Sequence, residues 1–159
     1  MTDDRTLSFD RLIAAKPETV WRCWTDPDLL ARWFAPKPVK TTITLLDVRP
    51  GGGFGTRMEV PDHGVMEGDA GCFLVVEPNR RLVWTNALGP EFRPNHIGTG
   101  EMEFPFTAEI RMEPEGDGTR YTSTAYHPTP ESAATHDRLG FYDGWGTAAT
   151  QLQELAESL

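Results

Sequence analysis

The chain has 159 residues, of which 38% are apolar and 25% are charged, and its formal net charge is −9. This composition predicts one globular domain over residues 1–159. An acidic chain without clustered Lys or Arg is not expected to bind nucleic acid or a membrane surface. The sequence contains no apolar run long enough to span a membrane, and its polar N-terminus is unlike a secretory signal. We therefore expect a cytoplasmic location, with Cys23 and Cys72 reduced and buried.

One strand and two short helices are predicted at the start of the chain. Apolar and polar residues alternate over 7–14, which is typical of a strand. Residues 17–24 begin with proline, which suits the first turn of a helix, and Asp26 suits the N-cap of a second helix over 26–34. The proline-containing segment 35–38 ends that second helix.

The middle of the chain alternates between strand patterns and turn residues. Six strands are predicted there, over 41–49, 56–60, 65–77, 82–88, 102–113 and 119–127. Most of their connections are short turns, which favours an antiparallel meander, and the exception is a long loop over 89–101. One side of such a sheet is apolar and needs a covering layer.

The segment that follows the Pro-Thr-Pro break at 128–130 is predicted to be helical and to supply that layer. Six apolar residues recur there at alternating spacings of four and three, which places them on one helix face: Phe141, Trp145, Ala148, Leu152, Leu155 and Leu159. One long helix packed on an antiparallel sheet predicts an α+β fold.

Three glycines, Gly140, Gly144 and Gly146, interrupt this predicted helix. A glycine in the middle of a helix costs about 1 kcal/mol relative to alanine, so their presence needs an explanation. Gly140, Gly144 and Ala148 are spaced four residues apart and share one helix edge. Two interpretations stay open. In the first, the helix approaches the sheet closely along this edge; in the second, the glycines leave space for a cavity beside the neighbouring aromatic side chains. Both can hold, because glycines on one side can set the approach while the next side opens a pocket.

Four segments carry a pattern that is specific in combination. It includes a proline-led helix, a TDP step with a nearby Trp, an RPGG turn and a helical GW pair. The segments lie at 14–36 (AAKPETVWRCWTDPDLLARWFAP), 45–54 (LLDVRPGGGF), 77–85 (EPNRRLVWT) and 140–155 (GFYDGWGTAATQLQEL). In this order, and over nearly the whole chain, they resemble the SRPBCC superfamily, whose START-like or helix-grip fold is shared with the birch-pollen allergen and polyketide cyclases. Within it, they resemble most the branch named for the activator of the ninety-kilodalton heat-shock-protein ATPase.

The resemblance implies a helix-grip fold. In this fold a curved seven-stranded antiparallel sheet wraps around the long C-terminal helix, and two short helices follow the first strand. A hydrophobic cavity between sheet and helix is implied as well, but no single shared chemistry is, because one fold supports many functions. The eukaryotic co-chaperones of this branch carry an additional N-terminal domain that is not part of this sequence, so contact with a chaperone ATPase is not expected.

The connections of a meander alternate between the two ends of the sheet, so four segments are expected together at the mouth of the cavity: 35–38, 61–64, 89–101 and 128–130. All four histidines of the chain lie in or near them: His63, His96, His127 and His136. Histidine suits both metal binding and proton transfer, but neither an HxH nor an HExxH motif is present. We therefore predict no metal and no cofactor, and we consider His96, His127 and His136 as candidate acids or bases.

The residues predicted to bind a ligand are those that strand alternation, helix spacing or position at the mouth directs toward the cavity: Trp84, Asn86, His96, Phe104, Phe106, His127, Phe141, Tyr142 and Trp145. Plain core packing is the alternative for each aromatic residue among them. Asn86 has an amide that needs partners if it faces inward, and it is predicted to orient a polar group of the ligand. Arg11 shares a strand face with Phe9 and Ile13. An inward side chain that faces a carboxylate is one alternative, but the side chain is expected to turn outward at the sheet edge.

The leading functional hypothesis is that the chain binds a small hydrophobic or aromatic molecule in this cavity. Two alternatives stay open: an enzyme of cyclase, dehydratase or hydrolase type that acts on a hydrophobic substrate, and a chaperone-associated protein-binding module. An exposed strand edge or aromatic patch also leaves the formation of a homodimer open.

Overall fold

A computed structural model of the chain describes residues 3–100 and 103–159. Within them the elements follow in the order β1 (Thr6–Ile13), α1 (Pro17–Thr25), α2 (Pro27–Trp33), β2 (Lys40–Leu46), β3 (Gly53–Val60), β4 (Gly64–Met66), β5 (Gly71–Glu77), β6 (Arg81–Thr85), β7 (Leu88–Gly89), β8 (Arg93–Pro94), β9 (Thr107–Glu115), β10 (Gly118–Tyr126), α3 (Pro130–Arg138) and α4 (Phe141–Ser158). The predicted boundary between the long loop and the next strand, at residues 101 and 102, lies outside the described residues, as do residues 1 and 2 at the N-terminus.

The sheet has the predicted meander topology. In the described part of the chain, seven strands pair antiparallel in the order β1-β10-β9-β6-β5-β3-β2, and the short β4 pairs with β3. Apart from the pairing of β1 with β10, neighbours in this order follow one another along the chain. Register shifts at Ile43–Leu45 and at Phe73–Val75 mark bulges, which increase the bend and twist of strands. The sheet curls into a half-barrel around α4, so the predicted α+β helix-grip fold is confirmed.

The strand predicted over 65–77 is interrupted in the structure. It forms β4 and β5, which are separated by residues 67–70. The start of β5 lies so close to β6 that a Cβ on Gly71 would be only 2.6 Å from the carbonyl oxygen of Thr85. Glycine at this position therefore allows the two strands to pair. The strand predicted over 82–88 is also shorter, because β6 ends at Thr85.

Strand β9 begins at Thr107, several residues later than predicted. Pro105 precedes it and has no N–H to donate to a neighbouring strand. Asn86, which follows β6, forms hydrogen bonds to this segment in place of the backbone hydrogen bonds that pair two strands. Its Nδ2 donates to the carbonyl of Phe104 over 3.0 Å, and its Oδ1 accepts from the N–H of Phe106 over 2.9 Å. The amide predicted to orient a ligand therefore holds the backbone next to β9.

The C-terminal helical segment is divided at Leu139 and Gly140 into α3 and α4. Gly140 is the N-cap of α4, and its φ of 100° lies in the left-handed region that favours glycine. This glycine is therefore explained by the turn between two helices. Leu159, predicted on the buried face, lies beyond the last helical residue and is 53% exposed. None of the helices in residues 3–100 and 103–159 is long and apolar enough to cross a membrane.

Helices α1 and α2 close one side of the half-barrel with two tryptophans. The rings of Trp24 and Trp33 lie 4.9 Å apart, edge to face. Both indole N–H groups have partners, because Trp24 Nε1 donates to the hydroxyl of Tyr121 over 3.2 Å and Trp33 Nε1 donates to the carbonyl of Cys23 over 3.0 Å. These hydrogen bonds fix the two large side chains in the core.

Both cysteines, Cys23 and Cys72, are buried and free, as predicted. Burial raises the pKa of Cys23 to about 11, so its thiol is protonated at neutral pH. Because the thiolate is the reactive form of cysteine, Cys23 acts here as a packing residue.

Candidate ligand-binding site

A cavity of about 370 Å³, which we name the inner cavity, lies between the sheet, α4 and the two short helices. The sheet contributes Phe9 of β1, Trp84 of β6 and Tyr121 of β10. Helix α2 contributes Trp33, and α4 contributes Trp145. A wall of this kind offers a ligand large apolar and aromatic surfaces and few polar groups.

Trp84 is positioned by its neighbours in the wall. Its ring lies 5.1 Å from that of Phe54 and 5.5 Å from that of Phe106, and it stacks on Trp145 at 6.5 Å. Its partner across the strand pair is Ala108, whose small side chain leaves room for the indole. The buried Nε1 of Trp84 has no hydrogen-bond partner among the described residues. An unpaired buried donor of this kind costs about 1–3 kcal/mol.

A second cavity, of about 590 Å³, adjoins the first, and we name it the outer cavity. The loop after β8, the segment before β9 and the junction of α3 with α4 supply most of its lining. Four residues line both cavities and form a neck between them: Pro36, Phe106, Gly144 and Trp145. Of the segments predicted at the mouth, 35–38 and 89–101 contribute lining residues, whereas 61–64 and 128–130 do not.

Gly144 leaves open space at the neck. A Cβ at this position would meet no other heavy atom within 4 Å, so the helix does not approach the sheet closely here. The close-contact interpretation of this glycine is therefore wrong, and the open space beside it supports the alternative interpretation that the glycine leaves room for a cavity. A Cβ at Gly146 would likewise meet nothing within 4 Å, but Gly146 lines neither cavity.

Arg11 lies between β1 and α4, so the outward orientation expected for it is wrong. Its Nη1 donates to Thr150 Oγ1 over 2.9 Å, and its Nη2 donates to the carbonyl of Gly146 over 3.2 Å. Its guanidinium carbon lies 5.7 Å from the centre of the Phe9 ring, a cation–π distance. The open helix edge at Gly146 lets the guanidinium reach a helix carbonyl, which explains why Arg11 turns toward α4.

His127 and His136 form a hydrogen-bonded pair beside the outer cavity. His127 is 5% exposed, and its Nε2 lies 2.8 Å from Nδ1 of His136 on α3. Its Nδ1 lies 2.9 Å from the carbonyl oxygen of Arg5. The ring of His136 lies 5.0 Å from Phe104 and 5.3 Å from Phe106. Burial, and to a smaller degree the neighbouring His127, lower the pKa of His136 to about 4, so His136 is neutral at pH 7.

The other two histidines lie apart from this pair. His96 is exposed and lines the outer cavity, whereas His63 is exposed and lines neither cavity. Over residues 3–100 and 103–159, no group of three or more His, Cys, Asp or Glu side chains is placed to hold a metal ion. Of the candidate acids and bases, His136 lies beside the neck, and His127 is hydrogen-bonded to Nδ1 of His136.

The structure gathers most of the predicted ligand-binding residues. Trp84 lines the inner cavity, and Phe106 and Trp145 line both. Four further predicted residues line the outer cavity: Asn86, His96, Phe104 and Phe141. Tyr142 is separated from the site, because it is 45% exposed and lines neither cavity.

The short helices supply a part of the wall that was not predicted from the sequence. Trp24, Trp33 and Phe34 all line the inner cavity. The signal for them is the density of aromatic residues in two helices too short to form a core of their own. Such residues must pack on another layer, and the apolar face of the sheet is the layer available.

Comparison with known proteins agrees with this architecture. The family model described as "Activator of Hsp90 ATPase homolog 1-like protein" matches residues 14–157. A protein of Nitrosomonas europaea of known structure is 39% identical, with a TM-score of 0.89, and the match covers 99% of this chain and 97% of that chain. Proteins of Arthrobacter aurescens and Rhodobacter sphaeroides, 22% and 20% identical, have the same fold. Their TM-scores are 0.83 and 0.81, and the matches cover 100% of this chain and 91% and 97% of theirs.

No protein of curated function matches the chain. The family match nonetheless begins directly after β1 and extends to the end of α4, so it includes every element that bounds the two cavities except β1. The chain therefore belongs to the family of activator of Hsp90 ATPase homolog 1-like proteins, within the SRPBCC superfamily.

Proposed function

We propose that the chain binds a small apolar or aromatic molecule in the inner cavity, which the molecule reaches through the outer cavity and the neck. The observation that carries this proposal is the cavity of about 370 Å³ with a mainly aromatic wall. Ligand sites typically measure about 300–1,000 Å³, and the inner cavity lies within that range. The volume suits a molecule with one or two rings.

The neck supports the same proposal. Gly144 lies within α4, where alanine would be favoured by about 1 kcal/mol, and no packing contact requires glycine there. A larger side chain at this position would extend into the passage between the cavities. The helix therefore keeps a less stable residue at the place where a ligand has to pass.

Affinity is expected to come mainly from apolar burial. Removing about 200 Å² of apolar ligand surface from water, at roughly 25 cal/mol per Å², contributes about 5 kcal/mol. That free energy corresponds to a dissociation constant on the order of 0.1–1 mM for a one-ring ligand without polar contacts. Titrations should therefore extend to millimolar concentrations.

The proposal is tested with toluene as the ligand and with the indole N–H signals of the five tryptophans as reporters in ¹H–¹⁵N NMR spectra. Trp24, Trp33, Trp84 and Trp145 line the inner cavity, and their signals should shift and saturate. Trp21 lines neither cavity, so its signal is an internal control. Shifts that do not saturate, or that affect Trp21 as much as Trp84, would contradict binding in the inner cavity.

Two glycine variants complete the test. Gly144→Leu should abolish or strongly weaken toluene binding, because the side chain enters the neck. Gly146→Leu is the matched control, since it adds the same side chain to the same helix away from both cavities. Equal binding by the two variants would contradict passage through the neck, once circular dichroism has shown that both are folded.

A further inference from the structure

The hydrogen bonds of His127 determine which of its ring nitrogens carries a proton. Its backbone N–H and its ring Nδ1 both lie 2.9 Å from the carbonyl oxygen of Arg5. A carbonyl oxygen has two lone pairs and only accepts hydrogen bonds, so Nδ1 of His127 donates and carries a proton. In the neutral ring, Nε2 of His127 is then an acceptor.

The same reasoning extends to His136. Its Nδ1 lies 2.8 Å from Nε2 of His127 and therefore donates, which leaves a lone pair on Nε2 of His136. If His127 donated to His136 instead, both ring nitrogens of His127 would carry protons and the ring would be charged. This ring is 5% exposed and forms no ion pair with any described residue. Because a buried charge without a partner is costly, the hydrogen bonds run from His136 to His127 to Arg5.

The ring of His136 lies at the junction of the two cavities. It lines the outer cavity, and its centre lies 5.3 Å from Phe106 and 5.6 Å from Trp145, which both belong to the neck. No hydrogen bond from the described part of the chain reaches its Nε2. Two other polar side chains that line the outer cavity already have partners within the chain. Asn86 bonds to the backbone next to β9, and the carboxylate of Glu103 accepts from the N–H of Gly100. His136 thus offers an acceptor that no residue within 3–100 and 103–159 uses.

We propose that Nε2 of His136 accepts a hydrogen bond from a hydroxyl group of the ligand, so that the ligand is an alcohol or a phenol whose apolar body lies in the inner cavity. This inference rests on the proposed function, because it specifies the polar group of the same ligand. A nitrogen lone pair attracts a donor, whereas the oxygen of an ether, ketone or carboxylate has only lone pairs to offer. The low pKa of His136 keeps its lone pair free at neutral pH.

The test compares 4-methylphenol with 4-methylanisole, which replaces the hydroxyl of the same ring by a methoxy group. Both are titrated by NMR against the natural chain and against His136→Asn, whose shorter amide can still donate to His127 but has no atom at the Nε2 position. The preference for the phenol over the ether should be about 2- to 12-fold greater in the natural chain, the range expected for one hydrogen bond.

The outcomes separate this inference from the proposed function. Saturable toluene binding with the same phenol preference in both chains would overturn the role of His136 alone. Failure of toluene and of both substituted rings to bind the natural chain would overturn the proposed function and this inference with it.

A measurement without ligand tests the direction of the hydrogen bonds. Long-range ¹H–¹⁵N spectra of the histidine rings should show His127 and His136 both protonated on Nδ1 and unprotonated on Nε2 at pH 7. A proton on Nε2 of His136 would overturn the proposal. This measurement uses the natural chain, so it remains decisive if His136→Asn does not fold.

Discussion

The two halves of α4 cover the same sheet in different ways. In the C-terminal half, Leu152 is completely buried in the main core, together with the small residue Ala156. In the N-terminal half, Gly144 and Trp145 border both cavities, and a Cβ at Gly144 would meet nothing within 4 Å. One helix therefore forms a packed core at one end and the wall of an open volume at the other.

Hydrogen bonds add to this difference. Gln151 joins the C-terminal half of α4 to the chain that follows α2. Its Nε2 donates to the carbonyls of Trp33 and Ala35 over 3.0 Å and 2.8 Å, and its Oε1 accepts from the N–H of Lys37 over 2.9 Å. These hydrogen bonds fix the position of the C-terminal half of α4. The N-terminal half can therefore border a cavity while the helix as a whole keeps its position. Stability within one fold is often divided in this way between rigid and functional parts.

The largest effect is expected from removing the packing of the C-terminal half. Leu152→Ala should lower the free energy of unfolding by about 2–5 kcal/mol, because it leaves a void in a fully buried part of the core. Chemical denaturation followed by circular dichroism measures this change. Leu155→Ala is the control and should cost less, since Leu155 is only partly buried. Equal losses would show that the packing does not depend on the buried face of the helix.

Removing the anchor should have a smaller effect. Gln151→Ala leaves two carbonyls and one N–H without their side-chain partner, and it should lower the free energy of unfolding by about 1–3 kcal/mol. Gln153→Ala is the matched control, because the hydrogen bonds of Gln153 to Leu12 and Glu157 are exposed to solvent. Its loss should cost less than about 0.5 kcal/mol. Denaturation curves in which the two variants coincide would contradict the anchoring role.

The three glycines should respond to alanine with two different signs. Gly144→Ala and Gly146→Ala should each stabilise the chain by about 0.5–1 kcal/mol, because alanine favours the helix and its Cβ meets no atom. Gly140→Ala should destabilise it by about 1 kcal/mol, because φ is +100° there. Thermal unfolding measures all three. Destabilisation by Gly144→Ala would contradict the open space at the neck.

The sequence was sufficient to predict the main strands, the two short helices and the covering C-terminal helical segment in their order, because those depend on local patterns. The period of two in the strands and the four-three spacing in α4 are set by the geometry of each element, so the meander and the covering helix follow from them. The N-terminal turn of α4 was harder to predict from the sequence. Gly140 could be recognised as unusual, but only the structure shows that it begins a second helix.

The parts of the site that the sequence did not predict depend on contacts between distant segments. Asn86 was expected to face a ligand, yet its amide bonds to the backbone on both sides of Pro105. His127 and His136 were expected at the same end of the fold, but their hydrogen bond depends on the turn that joins β10 to α3. Residue types alone do not show which of two possible partners a polar side chain takes.

A pH dependence is also expected, and it belongs to the open half of the molecule. The pKa of His136 is about 4 in the folded chain and near 6.5 when unperturbed, because burial disfavours its charged form. Between these values the unfolded chain binds more protons than the folded one. Stability should therefore fall as the pH is lowered from about 6.5 toward 4, and the loss is complete below the folded pKa.

His136→Asn should remove this component, so the stability difference between the two chains should change with pH between about 6.5 and 5. Glu109 does not interfere in this window. Burial raises its pKa, but Tyr126, Arg81 and Arg111 outweigh that effect and hold it below 4.5, so its contribution is lost only in more acidic solution. Urea unfolding at several pH values measures the difference. If the stability difference between the two chains does not vary with pH, His136 is as well hydrated in the folded chain as in the unfolded one. The neck would then be open to water on the side where the imidazole of His136 lies.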